Sequence, residues 1–113
     1  AERAERNVRR IDPTGVARVI AEDAIDTVTN FKDSIDILYL DADGDRGRGK
    51  GIYLEILQSA FDKMPYGSIV LAHNSVNGGA KIQDYLNFVR NKANMRASVN
   101  IIFDREGLEV SMK

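Results

Sequence analysis

The groups able to do chemistry in this sequence fall in a few short clusters: Glu22-Asp23, the alternating acids Asp41-Ala42-Asp43-Gly44-Asp45, the basic Arg46-Gly47-Arg48-Gly49-Lys50-Gly51 that follows them, and His73-Asn74. His73 is the only histidine. Its ordinary pKa lies near neutrality, which suits it to general-base work. As a metal ligand, imidazole favours manganese, iron, nickel or zinc over magnesium, which prefers oxygen. Lys50 could reach a reacting group from its loop. The loop itself matches two known patterns imperfectly. Gly44, Gly49 and Lys50 fit a phosphate-binding loop, but Gly51 stands where a magnesium-binding hydroxyl is required. Asp41, Asp43 and Asp45 fit the alternating ligands of a calcium loop, but Arg46 replaces its turn glycine and Ile52 its closing glutamate. Each cluster also has a plainer reading. Asp41 and Asp43 can simply end a strand in water, a lone histidine can be structural, and residues 74–79 can be only a turn.

These clusters matter only if the surrounding elements bring them together. Glu2 with Arg6 and Glu5 with Arg9 stand at i,i+4, predicting an exposed helix over 1–10. Asp12-Pro13-Thr14-Gly15 is a turn, and the β-branched run 16–21 predicts a strand. Asp23 is placed to cap a short helix through Ala24, Ile25 and Val28. The apolar run 35–40 suits a strand buried on both faces of a parallel sheet. Tyr53, Ile56, Leu57, Ala60, Phe61 and Met64 repeat at helical spacing, and Pro65-Tyr66-Gly67 stops that helix. A second buried strand covers 68–72, and a helix carrying Ile82, Tyr85, Leu86 and Val89 follows Gly78-Gly79. Alternating strands over 97–103 and 108–112, joined by Asp104-Arg105-Glu106-Gly107, predict an antiparallel hairpin. The result is an α/β sheet whose ligands belong beyond the carboxyl ends of the strands, where the chemical clusters fall.

Read in order, Ile37-Leu38-Tyr39-Leu40-Asp41-Ala42-Asp43, Tyr53-Leu54-Glu55, Gly67-Ser68-Ile69-Val70-Leu71-Ala72-His73-Asn74 and Gly107-Leu108-Glu109-Val110 resemble the back half of the cation-dependent, catechol-type O-methyltransferases. Those are class I enzymes that use S-adenosylmethionine. The resemblance covers most of residues 1–113. It implies that Asp41, His73 and Asn74 hold a divalent cation, with His73 standing where the family has aspartate. It further implies that Asp23, Ala24 and Asp41 contact the cofactor, Asp23 through the adenine amino group, and that His73 or Lys50 takes the proton. Gly44 occupies the slot of the family's lysine, so Lys50 would have to reach in from the longer loop. The family's glycine-rich cofactor loop and the acidic residue ending its second strand have no counterpart here. The resemblance thus implies a single partial methyltransferase domain over 1–113, the C-terminal two-thirds: a Rossmann-like sheet, mostly parallel with an antiparallel C-terminal hairpin, lacking its first two strands. In the family strand order 3-2-1-4-5-7-6, the strand at 16–21 would lose its natural neighbours.

The function so implied is O-methylation of a small molecule, a catechol-like or sugar diol whose vicinal oxygens chelate magnesium or a softer cation. Two rivals stand beside it: a metal-independent methyltransferase with His73 as base, and a non-catalytic remnant or assembly subunit on the same fold. The 113 residues alone are expected to be inactive, with half the cofactor pocket missing. Sixteen Lys+Arg against seventeen Asp+Glu give a net charge of -1, which argues against a nucleic-acid partner. A hydrophobic share of 43% is that of a folded domain. The absence of cysteine excludes thiolate sites and disulfides. With no bilayer-length apolar run and no signal-like start, the expectation is a cytoplasmic protein with no membrane partner. A homodimer paired through the hairpin is allowed by the resemblance alone.

Overall fold

All of residues 1–113 are described by a computed structural model. The apolar run before Asp41 forms β1 (Ile37–Leu40), and the second run forms β2 (Ile69–His73). They pair in parallel, with Leu40 opposite Ala72. Parallel neighbours need a long crossover, supplied here by α3 (Ile52–Ala60), which buries the expected stripe of Tyr53, Ile56, Leu57 and Ala60. A 3₁₀ turn, Phe61–Lys63, continues α3. Lys113 Nζ closes that turn by donating to the carbonyls of Phe61 and Met64 at 2.7 and 2.8 Å. After β2, a second 3₁₀ turn, Gly79–Ile82, leads into α4 (Gln83–Arg90). The chain closes with β3 (Ala97–Ile101) and β4 (Leu108–Met112), an antiparallel hairpin. β4 inserts next to β2, so the sheet order is β1-β2-β4-β3. The sheet is mixed, and its parallel character is confined to the β1–β2 pair.

One face of this sheet carries the core. Leu40, Val70 and Ala72 pack with the apolar stripes of α3 and α4 in a single cluster of 14 buried residues. Each large aliphatic side chain so buried contributes ~1.5–3 kcal/mol. Glu109 and Ser111 of β4 lie in register with Ala72 and Val70 and are buried on the same side. The opposite face has no helix over it, and Ile37, Tyr39, Val99 and Ile101 stand exposed there.

The amino-terminal third behaves differently. Helix α1 (Glu2–Ile11) buries none of its residues, as its charge pattern predicts. Helix α2 (Ala24–Asn30) begins as expected on Asp23, whose carboxylate accepts from the amides of Ile25 and Asp26. The segment 16–21, by contrast, is not a strand. A strand needs a neighbour for its amides, and the four-stranded sheet offers none to this segment. Side chains satisfy those amides instead: Asp12 accepts from Ala17 N at 2.6 Å and Glu5 from Val19 N at 3.1 Å. The hairpin also differs slightly, because β3 ends at Ile101 and leaves 102–107 as its loop. No helix is long and apolar enough to cross a membrane.

Candidate active site

The parallel register sets Leu40 beside Ala72, so the residues that follow them emerge side by side at the carboxyl end of the sheet. Those residues are Asp41 and His73. Their side chains meet, Nδ1 of His73 lying 3.2 Å from Oδ1 of Asp41. The antiparallel partner β4 starts opposite His73, at Leu108, so the hairpin loop before it projects over the same rim. Glu106 on that loop places Oε2 2.9 Å from His73 Nε2. The loop is pinned where it passes: Val76 N donates to Glu106 O at 2.8 Å, and Gly107, at φ +73°, lies hard against Ser75 and Val76. Asp104 accepts from the amides of Glu106 and Gly107, which holds its carboxyl below the usual aspartate range.

Lys50 arrives at this rim as well. Its Nζ lies 3.5 Å from Asp41 Oδ1, 3.4 Å from Asp43 Oδ1 and 3.3 Å from the carbonyl of Ala42, over the ring of Tyr53. Burial pushes the lysine pKa down, but the Tyr53 phenol and the Asp43 carboxylate outweigh it, and the net shift is upward. Lys50 is therefore a cation that neutralises Asp41 and Asp43, and it does not offer a lone pair near neutrality. Tyr53 stands beneath it, wholly buried, with its own pKa raised by burial.

The same geometry settles the two rival readings of the glycine-rich loop. A phosphate cradle needs free backbone amides, yet Gly44 and Gly49 bond to each other, Arg48 N to Asp45 O and Gly51 N to Arg48 O. A calcium loop would gather Asp41 and Asp43 around an ion, and the Lys50 ammonium already occupies that place. Lys81 and the Arg48–Glu55 ion pair further tie the loop to the body of the molecule.

Beside Asp41 lies a cavity of about 300 Å³ lined mostly by apolar groups, among them Ile20, Ala24, Val28, Leu38 and Ile56, with Glu22 and Asp41 supplying the acids. Ala24 and Asp41 both line this cavity. Asp23 is not in the lining; its carboxylate caps α2. Asn74 takes a left-handed conformation, φ +62°, and donates its amide to Asn77 within its own turn. Asp104 and Glu106, which the sequence reading treats only as a turn, turn out to sit at the rim. The signal for them is the antiparallel partnership of β2 and β4, which obliges residues preceding 108 to overhang His73.

No protein-family model matches the sequence, and no curated relative does. Among solved structures, the chain superposes with a TM-score of 0.76 on a Staphylococcus aureus protein described as a "putative caffeoyl-CoA O-methyltransferase". The fold is that of a class I methyltransferase. The match takes in 99% of this chain at 18% identity. It spans only 58% of the neighbour's length, so the neighbour has a substantial portion with no counterpart here. At this identity the likeness establishes the fold, including the Rossmann-like strand order β1-β2-β4-β3 that the sequence resemblance implies.

Proposed function

We propose that these residues belong to a class I S-adenosylmethionine-dependent O-methyltransferase acting on a small-molecule hydroxyl, assisted by a divalent cation. The observation that carries the reading is the contact between Asp41 and His73 at the carboxyl ends of a parallel strand pair, directly beside an apolar cavity. Sheets of this class bind their ligands at that edge. The neighbour's description supports oxygen as the atom that receives the methyl group.

The residues present fit half of a cofactor site. Ile20, Ala24, Val28 and Ile56 offer an apolar slot for a flat ring, and Glu22 places an acceptor at its edge. When bound, S-adenosylmethionine supplies an electrophilic methyl group on a sulfonium, and a divalent cation supplies Lewis acidity to the acceptor hydroxyl. Asp41 lines the slot and touches His73, so it marks where methyl donor and acceptor meet. In-line transfer depends chiefly on holding the two reactants at contact distance. His73, oriented through Nδ1 by Asp41, presents Nε2 to receive the hydroxyl proton or to hold the cation. Lys50 keeps Asp41 in place by its charge. His73 as proton acceptor without a metal is the second reading, favoured by its hydrogen-bonded orientation between two carboxylates.

Labelled methyl transfer by the full-length protein tests both. Asp41→Ala should lower kcat at least a hundredfold, since it removes the group shared by the slot and the imidazole. Loss of activity on chelation supports the cation, whereas activity indifferent to chelators but lost in His73→Gln selects the second reading. Full activity in Asp41→Ala, or no cofactor binding by calorimetry in the full-length protein, would overturn the proposal and leave a non-catalytic assembly role.

A further inference from the structure

We infer that Ser75 is a positioning residue for the rim: by bonding Asn100 and standing against Gly107 it fixes the hairpin loop, and with it Glu106, over the His73 imidazole. The inference rests on the methyltransferase reading only for its kinetic consequence; the coupling of Ser75 to the His73 ring stands on the geometry. The ladder between β2 and β4 ends at the His73–Leu108 pair, and β3, beyond β4, is the edge of the sheet. Past that last pair, residues 102–107 must be held by other means. The chain leaving β2 supplies them. His73 Nε2 meets Glu106 Oε2 at 2.9 Å, Val76 N donates to Glu106 O at 2.8 Å, and Ser75 Oγ donates to Asn100 Oδ1 at 2.8 Å. The first two ties fall on one loop residue, and the loop could rock about them. The third reaches the other strand of the hairpin and removes that freedom. It is the one side-chain hydrogen bond that joins β3 to a residue outside the hairpin.

Serine suits this place by size and by chemistry. It is 6% exposed, and a buried hydroxyl is costly unless it is bonded, which Asn100 provides. A Cβ on Gly107 would stand 2.6 Å from Ser75 Oγ, so the serine touches both ends of the loop, Asn100 before it and Gly107 after it. Alanine here would lose the bond, and a larger side chain would strike Gly107. The turn that carries Ser75 is closed on itself: Gly78 N donates to Asn74 O at 2.8 Å, and Asn74 Nδ2 to Asn77 Oδ1 at 2.9 Å. Ser75 therefore passes the position of a well-tied turn on to the loop. The imidazole, met by Asp41 at one nitrogen and Glu106 at the other, has its ring plane set by both. A shift of the loop accordingly rotates the group proposed to take the proton. Sequence patterns give no sign of this, since Ser75 reads as one turn residue among several.

The test is the ¹⁵N-histidine spectrum of the purified full-length protein, with the His73 ring signals assigned by their absence from His73→Gln. Ser75→Ala and Asn100→Ala should each displace both ring-nitrogen signals. The double variant should match either single one, since both remove the same bond. Ser98→Ala, which removes bonds inside the hairpin, should leave those signals in place while lowering the urea midpoint. In labelled methyl transfer, Ser75→Ala should lower kcat about tenfold or more with KM changed less than about twofold, the pattern of a misplaced reacting group. Wild-type ring signals in Ser75→Ala and Asn100→Ala, additive displacements in the double variant, or equal displacement in Ser98→Ala overturns the positioning role and leaves the methyltransferase reading untouched. Displaced signals with kcat unchanged overturn its part in the transfer step. Coupled displacement in a protein without methyl transfer keeps the positioning role and overturns that reading.

Discussion

Glu109 shows how much a single residue of this sheet depends on its surroundings. It is 1% exposed, on the strand face turned toward α4. Arg90 reaches across to bond both its oxygens, at 2.9 and 2.8 Å, and Ser98 donates to it at 2.6 Å. Burial alone would raise the glutamate pKa; the Arg90 and Ser98 bonds outweigh burial and lower it. A carboxyl depressed in the folded state stabilises the fold above its unfolded value, near 4.3, and loses that contribution as the pH falls through the folded value. Urea midpoints measured from pH 6 to pH 3 should therefore drop more steeply in the wild type than in Glu109→Gln. Arg90→Ala strands the buried carboxylate and should cost about 2–3 kcal/mol at pH 7, below the range for a wholly buried pair because Arg90 is half-exposed. Periodicity could not reveal this pair. Glu109 sits at a core-facing position of an alternating strand, where sequence patterns expect an apolar group, and only the approach of α4 makes it tolerable.

At the scale of elements, the hairpin loop is the piece that completes the rim. Gly107 sits in a left-handed conformation, and a Cβ there would stand 2.6 Å from both Ser75 Oγ and Val76 Cγ2. Gly107→Ala should destabilise the fold by ~2 kcal/mol or more, from backbone strain and this crowding together. It should also release Glu106 from His73, which chemical-shift changes of the His73 ring would report. Asp23 at the head of α2, the stripe of α3 and the turn before β2 all read correctly from the sequence, because caps, helical spacing and Pro-Gly stops act within a few residues. The segment 16–21 did not, since its β-branched composition states a preference that pairing alone can realise.

For the whole molecule, the telling feature is how much apolar surface lacks a cover. A compact monomer of 12.6 kDa would expose about 6,200 Å², and this chain exposes 7637 Å². Its radius of gyration, 14.7 Å, also exceeds the roughly 13.3 Å of a compact domain of this length. The excess lies in α1, in 16–21 and on the open sheet face, where Ile37 is 65% and Val99 57% exposed. Exposed patches of this kind bind hydrophobic dyes. The 113 residues alone should therefore enhance dye fluorescence at neutral pH, and Ile37→Thr with Val99→Thr should reduce that signal while leaving far-UV dichroism unchanged. An unaltered signal would place the dye elsewhere.

The sequence by itself determined the elements from α2 onward, the α/β class and the candidacy of Asp41 and His73, because these rest on local spacing and on which residues end an apolar run; that β1 is buried on one face and not on both was beyond it. Tertiary structure alone decided that Glu106 and Asp104 reach His73, that Lys50 is held as a cation between two aspartates, and that 16–21 stays unpaired. Those outcomes hang on the register between β2 and β4, on the path of the loop after Asp41, and on whether a neighbouring strand exists. Each couples residues far apart along the chain, and a pattern confined to neighbouring positions carries no record of it.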